Sequence, residues 1–425
     1  MKDYSFAYGS GSVQVSLDEN DVIAELHGNA VPEAEDVAAT LYEALENPIE
    51  SVSLADYVGP GEKTVLIVSD MSRFWMRQDL VIPHLVAYLE TKCGVSDGDL
   101  TILVANGTHT GGDEKDLRTI VTDAVYERVR VVNHDCVNSD FAYLGTTARG
   151  THVRVNSIAA NADKVICLGA CTHHMMAGFG GGRKSIVPGI ASLETIRENH
   201  AHSLSPTEDK SNPDIGNGIL LGNPLNEDMC EAAGMMKRLF MVNLVLNADM
   251  KLAAVYAGHY IKSWERGCEQ VNAVYEVPVP QKADAIVASC GGYPKDMSLY
   301  QGTKTVDNVE SGLKLGGTLV LFMECREGGG PAEYFDWIKP LKNGTIANEL
   351  RENFTVPGYV FFLNCEQARR YRILMLTSVP ADVIAPMGIE AFSDVDALMR
   401  AANLKGKSTY VIQNGATVVP KVRKA

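Results

Sequence analysis

TVLIVSDMSRFWMRQDLVIPHLVAYLETKCGVSDGDLTILVAN, residues 64–106, reads as a strand, a helix and a second strand. The outer runs, TVLIV and LTILVA, are continuously apolar, which marks strands buried on both faces. The middle run, LVIPHLVAYLETK (80–92), is amphipathic and of helical length. The same kind of strand recurs at VRVVNH (129–134), KVICLGA (164–170), LFMVNLVLN (239–247), AIVASC (285–290), TLVLFMEC (318–325) and YRILMLTS (371–378), and DNVESGLKLG (307–316) reads as a further helix. Strands alternating with helices predict an α/β fold with mostly parallel sheets. Ligands of such sheets bind beyond the carboxyl ends of the strands, so the strand-end residues carry the functional question.

A chain of 425 residues exceeds one ordinary core. The proline-bearing VYEVPVPQKAD (274–284) supplies a boundary, giving two Rossmann-like α/β domains, 1–275 and 276–425, with the active site expected in the cleft between them. The polar, turn-rich stretch 203–224 is expected to be a functional surface loop or lid. A net charge of −15 argues against nucleic acid or an anionic membrane as partner. The opening MKDYSFAYGSGSVQV has no apolar signal core, and no later run reaches the roughly 20 residues that span a bilayer. Nine cysteines without a C-x-x-C pair fit reduced thiols, hence a cytoplasmic protein.

The stretch HHMMAGFGGGRKS (173–185) invites a phosphate-loop reading, but Arg183 stands where a Walker loop needs glycine before Lys184, and the dinucleotide pattern fails at the same place. A flexible backbone at Gly178, Gly180, Gly181 and Gly182 remains, ending in a cation. His173, His174, His200 and His202 lie close in sequence; on the helical ASLETIRENHAHS (191–203), His200 and His202 face different ways. Other strand ends offer Asp70 and Arg73, then His109, then GGYPKDMSLYQGTK (291–304). In that last segment Asp296 is placed to cap a helix whose face carries Tyr300, Gln301 and Lys304. Each of these residues alone has an ordinary structural explanation; together they place a base, a carboxylate clamp and a metal ligand at strand ends.

These residues resemble the nickel-pincer-dependent lactate racemase family. The similarity rests on Asp70-x-x-Arg73, Gly107-Thr108-His109, the run from His174 through Gly181-Gly182-Arg183-Lys184 to Pro188-Gly189, His200, Gly222-Asn223-Pro224, and Gly291-Gly292-Tyr293-Pro294 with Tyr300-Gln301-x-x-Lys304. It implies a pyridinium mononucleotide with two sulfur arms holding nickel, tethered through Lys184 as a thioamide. Asp70, Gly181 and Gly182 fall on its binding residues, and His200 on the metal ligand. It further implies a 2-hydroxy acid inverted at C2 by hydride transfer through a 2-keto acid, with proteins of cofactor synthesis as transient partners. His109 and His174 would be the acid–base pair, with the neighbouring His173 as the other candidate for the second base. Arg73, Tyr300, Gln301 and Lys304 would hold the substrate, and Asp70 would orient His109 or Arg73. The family's proline after the arginine is replaced by Phe74-Trp75, which leads to the expectation of a substrate larger than lactate, or aromatic. Two other readings stay open from the residues: a zinc hydrolase or lyase using Cys171, His174 and His200, and a non-catalytic carrier of the nickel cofactor.

Overall fold

The computed structural model describes residues 1–423. It divides into two compact units, each interrupted in sequence. One comprises Ala30–Ser203 and Asp214–Val274, and is called here the Lys184 unit; the other, the Gln301 unit, comprises Met1–Asn29, Leu204–Pro213 and the chain from Tyr275 on. The two uninterrupted segments 1–275 and 276–425 suggested by the sequence are thus not the units of the structure. The reason is a strand, Val22–Glu25, that pairs in parallel with Thr409–Ile412. Nothing local announces a partner so distant along the chain.

The Lys184 unit is built on a six-stranded sheet ordered Leu252–Gly258, Leu239–Leu246, Lys164–Ala170, Thr64–Ser69, Leu100–Ala105, Arg130–Asn133. All neighbours run parallel except Leu252–Gly258, which pairs antiparallel with Leu239–Leu246. The continuous apolar runs have the predicted cause. Leu66, Val68, Ile102, Val104, Ile166 and Leu168 pack in one core with the helix Ile82–Thr91, while Ile67, Leu103 and Cys167 between them are equally buried. That helix starts with Pro83 in its first turn and buries Ile82, Leu85, Val86 and Leu89 on one stripe. From Thr64–Ser69 the chain first adds strands on one side and then crosses to Lys164–Ala170 on the other. The sheet order therefore reverses between these two strands, the position at which sheets of this kind bind their ligands beyond the carboxyl ends.

The Gln301 unit carries a six-stranded, wholly parallel sheet ordered Ile389–Phe392, Arg372–Leu376, Leu313–Phe322, Ala283–Ser289, Thr409–Ile412, Val22–Glu25. The hairpin Lys2–Tyr8 and Gly11–Leu17 covers it, burying Tyr4, Phe6, Val15 and Leu17 against Val287, Val320, Phe322 and Leu374. Residues 307–316 are not a helix of their own. The helix begins earlier, at Leu299, and runs to Val309; a short 3-10 turn follows, and Leu313 already starts the strand. The 203–224 stretch is not one loop either. Residues 204–213 hang on the helix Val356–Arg370, where the Ser211 N–H donates to Glu366 at 2.9 Å and the Tyr359 hydroxyl to Ser211 Oγ at 2.9 Å. From Asp214 the chain is back in the Lys184 unit, where Gly218 N–H donates to the Gly178 carbonyl. No helix among the described residues is long and apolar enough to cross a membrane.

His134, just past the strand Arg130–Asn133, shows how burial makes stability depend on pH. It is 1% exposed, and its ring bonds the Ala191 carbonyl at 3.0 Å and the Asn156 amide at 3.2 Å. Burial, partly opposed by the Ala191 bond, lowers its pKa from 6.5 to about 4. The unfolded chain takes up this proton first, so the stabilisation is whole above about pH 6.5 and drains away as pH falls toward 4, by roughly 3 kcal/mol. Urea titrations of His134→Gln should show a flatter loss of stability across that window than the parent. Parallel curves would rule out His134 as a source of the acid limb.

Candidate functional site

The strand Thr64–Ser69 ends in a turn that is fixed before any ligand arrives. Gln78, fully buried, pairs its amide with both backbone groups of Ser69: the Ser69 N–H donates to Oε1 at 3.0 Å and Nε2 donates to the Ser69 carbonyl at 2.6 Å. Asp70 follows at the start of the 3-10 turn Met71–Met76. Its Oδ2 meets His109 Nδ1 at 2.5 Å, and its Oδ1 accepts from Ser72 Oγ at 2.6 Å. Ser72 Oγ also lies 3.2 Å from His109 Nδ1 and accepts from Arg73 at 3.0 Å. Asp70, Ser72, Arg73 and His109 thus form one connected group. Burial pushes the Asp70 carboxyl up, but the bond from His109, that ring's charge, the Ser72 hydroxyl and Arg73 outweigh it and hold it below the usual range. With Nδ1–H engaged by the carboxylate, it is Nε2 that holds the lone pair whenever the His109 ring is uncharged. His109 itself is set by its N–H bond to the Asn106 carbonyl, and the neighbouring Gly107 N–H donates to the Gly189 carbonyl.

Beyond the strand Lys164–Ala170, His173–His174 folds back on Gly178–Phe179 as a two-residue antiparallel pair. The two histidines part company there. His173 stacks on Phe179 at 5.0 Å and bonds Asn272 at 2.9 Å, whereas His174 Nε2 meets Lys184 Nζ at 2.8 Å. His174 Nδ1 in turn accepts the backbone N–H groups of Met176 and Ala177, each at 3.2 Å. A nitrogen that accepts two backbone donors carries no proton, so the ring proton of His174 sits on Nε2. The wiring is the reverse of that in His109.

Lys184 lies in the 3-10 turn Gly182–Ser185, and its neighbour Arg183 organises the run. The Arg183 guanidinium is wholly buried: Nη2 donates to Ala177 O at 2.8 Å, Nη1 to Phe179 O at 2.8 Å and Gly181 O at 3.3 Å, and Nε to Asn226 Oδ1 at 3.0 Å. It stacks on Trp264 at 3.8 Å, whose indole N–H donates to Gly180 O at 2.8 Å. Burial pulls its pKa down, and among the described residues no carboxylate pairs with it. Two of the glycines are required by this chain's own packing. At Gly181, with φ +73°, a Cβ would stand 2.9 Å from Ala170 O; at Gly182, with φ +52°, it would stand 2.5 Å from the Trp264 ring.

His200 lies on the helix Leu193–Ala201, capped by Ser192, and is 4% exposed. Its Nδ1–H donates to the Ile196 carbonyl at 3.0 Å, leaving the Nε2 lone pair unprotonated. Burial, reinforced by any charge that Lys184 carries, lowers its pKa to about 3, so at neutral pH it is the neutral imidazole that a metal requires. Among the described residues no group of three or more His, Cys, Asp or Glu has metal-holding geometry, so Cys171, His174 and His200 are not assembled as a zinc site. A metal here would have to bring most of its ligands with it.

In the Gln301 unit, Tyr300, Gln301 and Lys304 do share a helix, Leu299–Val309, and Lys304 Nζ donates to Gln301 Oε1 at 2.8 Å. Asp296 is not its cap. Ser298 caps it, while Asp296 is buried and accepts the N–H groups of Gly9 at 2.7 Å and Glu324 at 3.2 Å. Both residues are good caps by type; the tertiary demand for Asp296 decided between them.

Residues 8–211 match the lactate racemase N-terminal domain and residues 279–420 the lactate racemase C-terminal domain. The chain is 31% identical over 335 residues to the lactate racemase of Thermoanaerobacterium thermosaccharolyticum, covering 79% of this chain and 72% of that one. This chain belongs to the lactate racemase family. To the lactate racemase of Lactiplantibacillus plantarum it is 29% identical over 434 residues, covering 97% and 98%. The lactate racemase apoprotein structure from T. thermosaccharolyticum superposes over 100% of both chains with a TM-score of 0.88 at 26% identity. A Thermotoga maritima protein, at TM-score 0.67 and 17% identity over 91% of this chain and 98% of its own, shares the fold.

Within this member of the lactate racemase family, sequence reasoning missed Ser72, Gln78, Asn243 and Trp264. Asn243 is a buried amide in the middle of an apolar strand, and it accepts the Gly182 N–H at 3.1 Å. That intrusion into LFMVNLVLN was the one signal available. Arg183→Lys keeps the charge but cannot reach these carbonyls in a planar fork or stack on Trp264. It should lower the stability of the Lys184 unit by about 2–4 kcal/mol, read as faster amide hydrogen exchange at Ala177–Lys184. Unchanged exchange would deny Arg183 its organising role.

Proposed function

We propose that this chain is a racemase of a 2-hydroxy acid that works with a nickel-pincer nucleotide. One observation carries the reading: in a lactate racemase family member, Asp70 fixes His109 with the Nε2 lone pair outward, the form a base needs to accept a hydroxyl proton. Lys184 is the covalent tether and His200 the protein's ligand to the metal, and an imidazole whose Nδ1–H is fixed on a carbonyl, with the lone pair on Nε2, suits that task. When bound, the cofactor supplies a hydride acceptor, so the α-hydrogen need not leave as a proton beside a carboxylate. His109 takes the hydroxyl proton of one enantiomer, and His174, whose Nε2 carries a proton, faces the other. For His174 to serve as the base, Nδ1 has to give up its two backbone donors. Arg73 is assigned the substrate carboxylate, with Lys304, Gln301 and Tyr300 as further donors. The nine free cysteines fit a reducing, cytoplasmic setting, and the proteins that build the cofactor are transient partners.

Protein made alongside the cofactor-building enzymes should invert a 2-hydroxy acid deuterated at C2 with the label retained, and Lys184 should gain the cofactor's mass. Loss of the label to water, or full activity in Lys184→Ala, would overturn the reading. Asp70→Asn should lower kcat by about 10²-fold or more with a smaller change in KM, because the amide can turn its NH2 toward His109 Nδ1 and no longer enforces the tautomer that the carboxylate sets. We also propose a substrate larger than lactate. Trp75 packs on the core of the Lys184 unit, so of the two aromatics Phe74 is the one to vary. Phe74→Ala should change the ratio of kcat/KM for phenyllactate over lactate several-fold; an unaltered ratio would remove the argument from this position.

A further inference from the structure

The contact between His174 and Lys184 has a direction. Two backbone N–H groups point at His174 Nδ1, which therefore holds a lone pair, and Nε2 holds the only ring proton. Nε2 stands 2.8 Å from Lys184 Nζ. An ammonium has three donors and no acceptor, so facing an N–H it would be repelled; an uncharged amine has a lone pair and accepts. We propose that in the unloaded chain His174 holds Lys184 as a free amine, and that this readies the lysine for acylation by its cofactor. The inference rests on the proposed function for the identity of the acyl partner, and it gives His174 a task before any substrate is bound.

The surroundings agree with it. His200, on the neighbouring helix, is buried as a neutral imidazole with its Nδ1–H on the Ile196 carbonyl, and the Arg183 guanidinium turns away toward backbone carbonyls and Trp264. Both Lys184 and His174 are half-buried, so a small electrophile reaches them. An ordinary lysine is almost wholly protonated near neutrality, and each unit by which the free form is favoured raises the nucleophilic fraction about tenfold. The attachment itself is a condensation. The amine nitrogen bonds to the thioacid carbon, and the carbon–oxygen bond breaks. Oxygen leaves as water with one hydrogen from the amine and one from the thioacid, and no oxidant or reductant is consumed.

The test needs no cofactor. Metal-free, unloaded protein is exposed near neutral pH to trace acetic anhydride, and acetylation of each lysine is read by peptide mass. The exposed Lys115 and Lys339 serve as internal standards. Lys184 should acetylate at least about tenfold faster than either standard. His174→Ala should abolish that advantage. His174→Asn should abolish it too, while its side-chain oxygen still accepts the Met176 and Ala177 N–H groups, which separates loss of the donor from loss of the local fold. A Lys184 no faster than the standards in the parent, or equally fast in both variants, would overturn the inference. A chain with the fast amine that never gains cofactor mass would instead sink the proposed function and leave this assignment of His174 standing.

Discussion

A guanidinium without a carboxylate is an unusual thing to bury, and the site of this protein is organised around one. Arg183 gathers the carbonyls of Ala177, Phe179 and Gly181 into one fork and sits over the Trp264 ring. A buried cation must be paid back in hydrogen bonds, and here the partners are neutral dipoles of the loop itself. The loop can therefore adopt only the path that satisfies the arginine. That path brings His174 onto Lys184 and sets Gly181 and Gly182 so close to Ala170 and Trp264 that a side chain would collide. Lys184 gains a fixed position although it stands in a run of glycines.

The two imidazoles at the site are controlled by opposite means. A carboxylate claims the proton at one nitrogen of His109, leaving the other basic. Backbone donors claim the lone pair of His174, leaving its other nitrogen protonated. One ring is set by charge and the other by the dipoles of a turn. The two histidines are thus unlike although they are the same residue type.

Much of the fold was legible because strands buried on both faces cannot hide their composition. All eight apolar runs became strands of the two sheets, and Ile82–Thr91 showed its stripe and its proline. The hairpin Lys2–Tyr8 and Gly11–Leu17 escaped notice because its strands mix exposed polar residues with the few they bury, and Val22–Glu25 because it is short and partnered far away in sequence. At the site, residue types with few roles were readable: a lysine after glycines, a histidine after Gly-Thr, an arginine three residues past an aspartate. Ser72 and Gln78 were not, because their contribution is a hydrogen bond to a neighbour that only the folded turn creates. The glycines were found for an incomplete reason, since openness toward a ligand and closeness to Trp264 leave the same mark in a sequence.

The threading of the chain also bears on how the protein is made. A ribosome releases every strand of the sheet that carries the Lys184 loop by residue 258, so that unit can close early in synthesis. Val22–Glu25 emerges long before its neighbour, which follows about 385 residues later. Until then that segment lacks the strand it pairs with, and an unmatched strand edge is the kind of surface that chaperones shield.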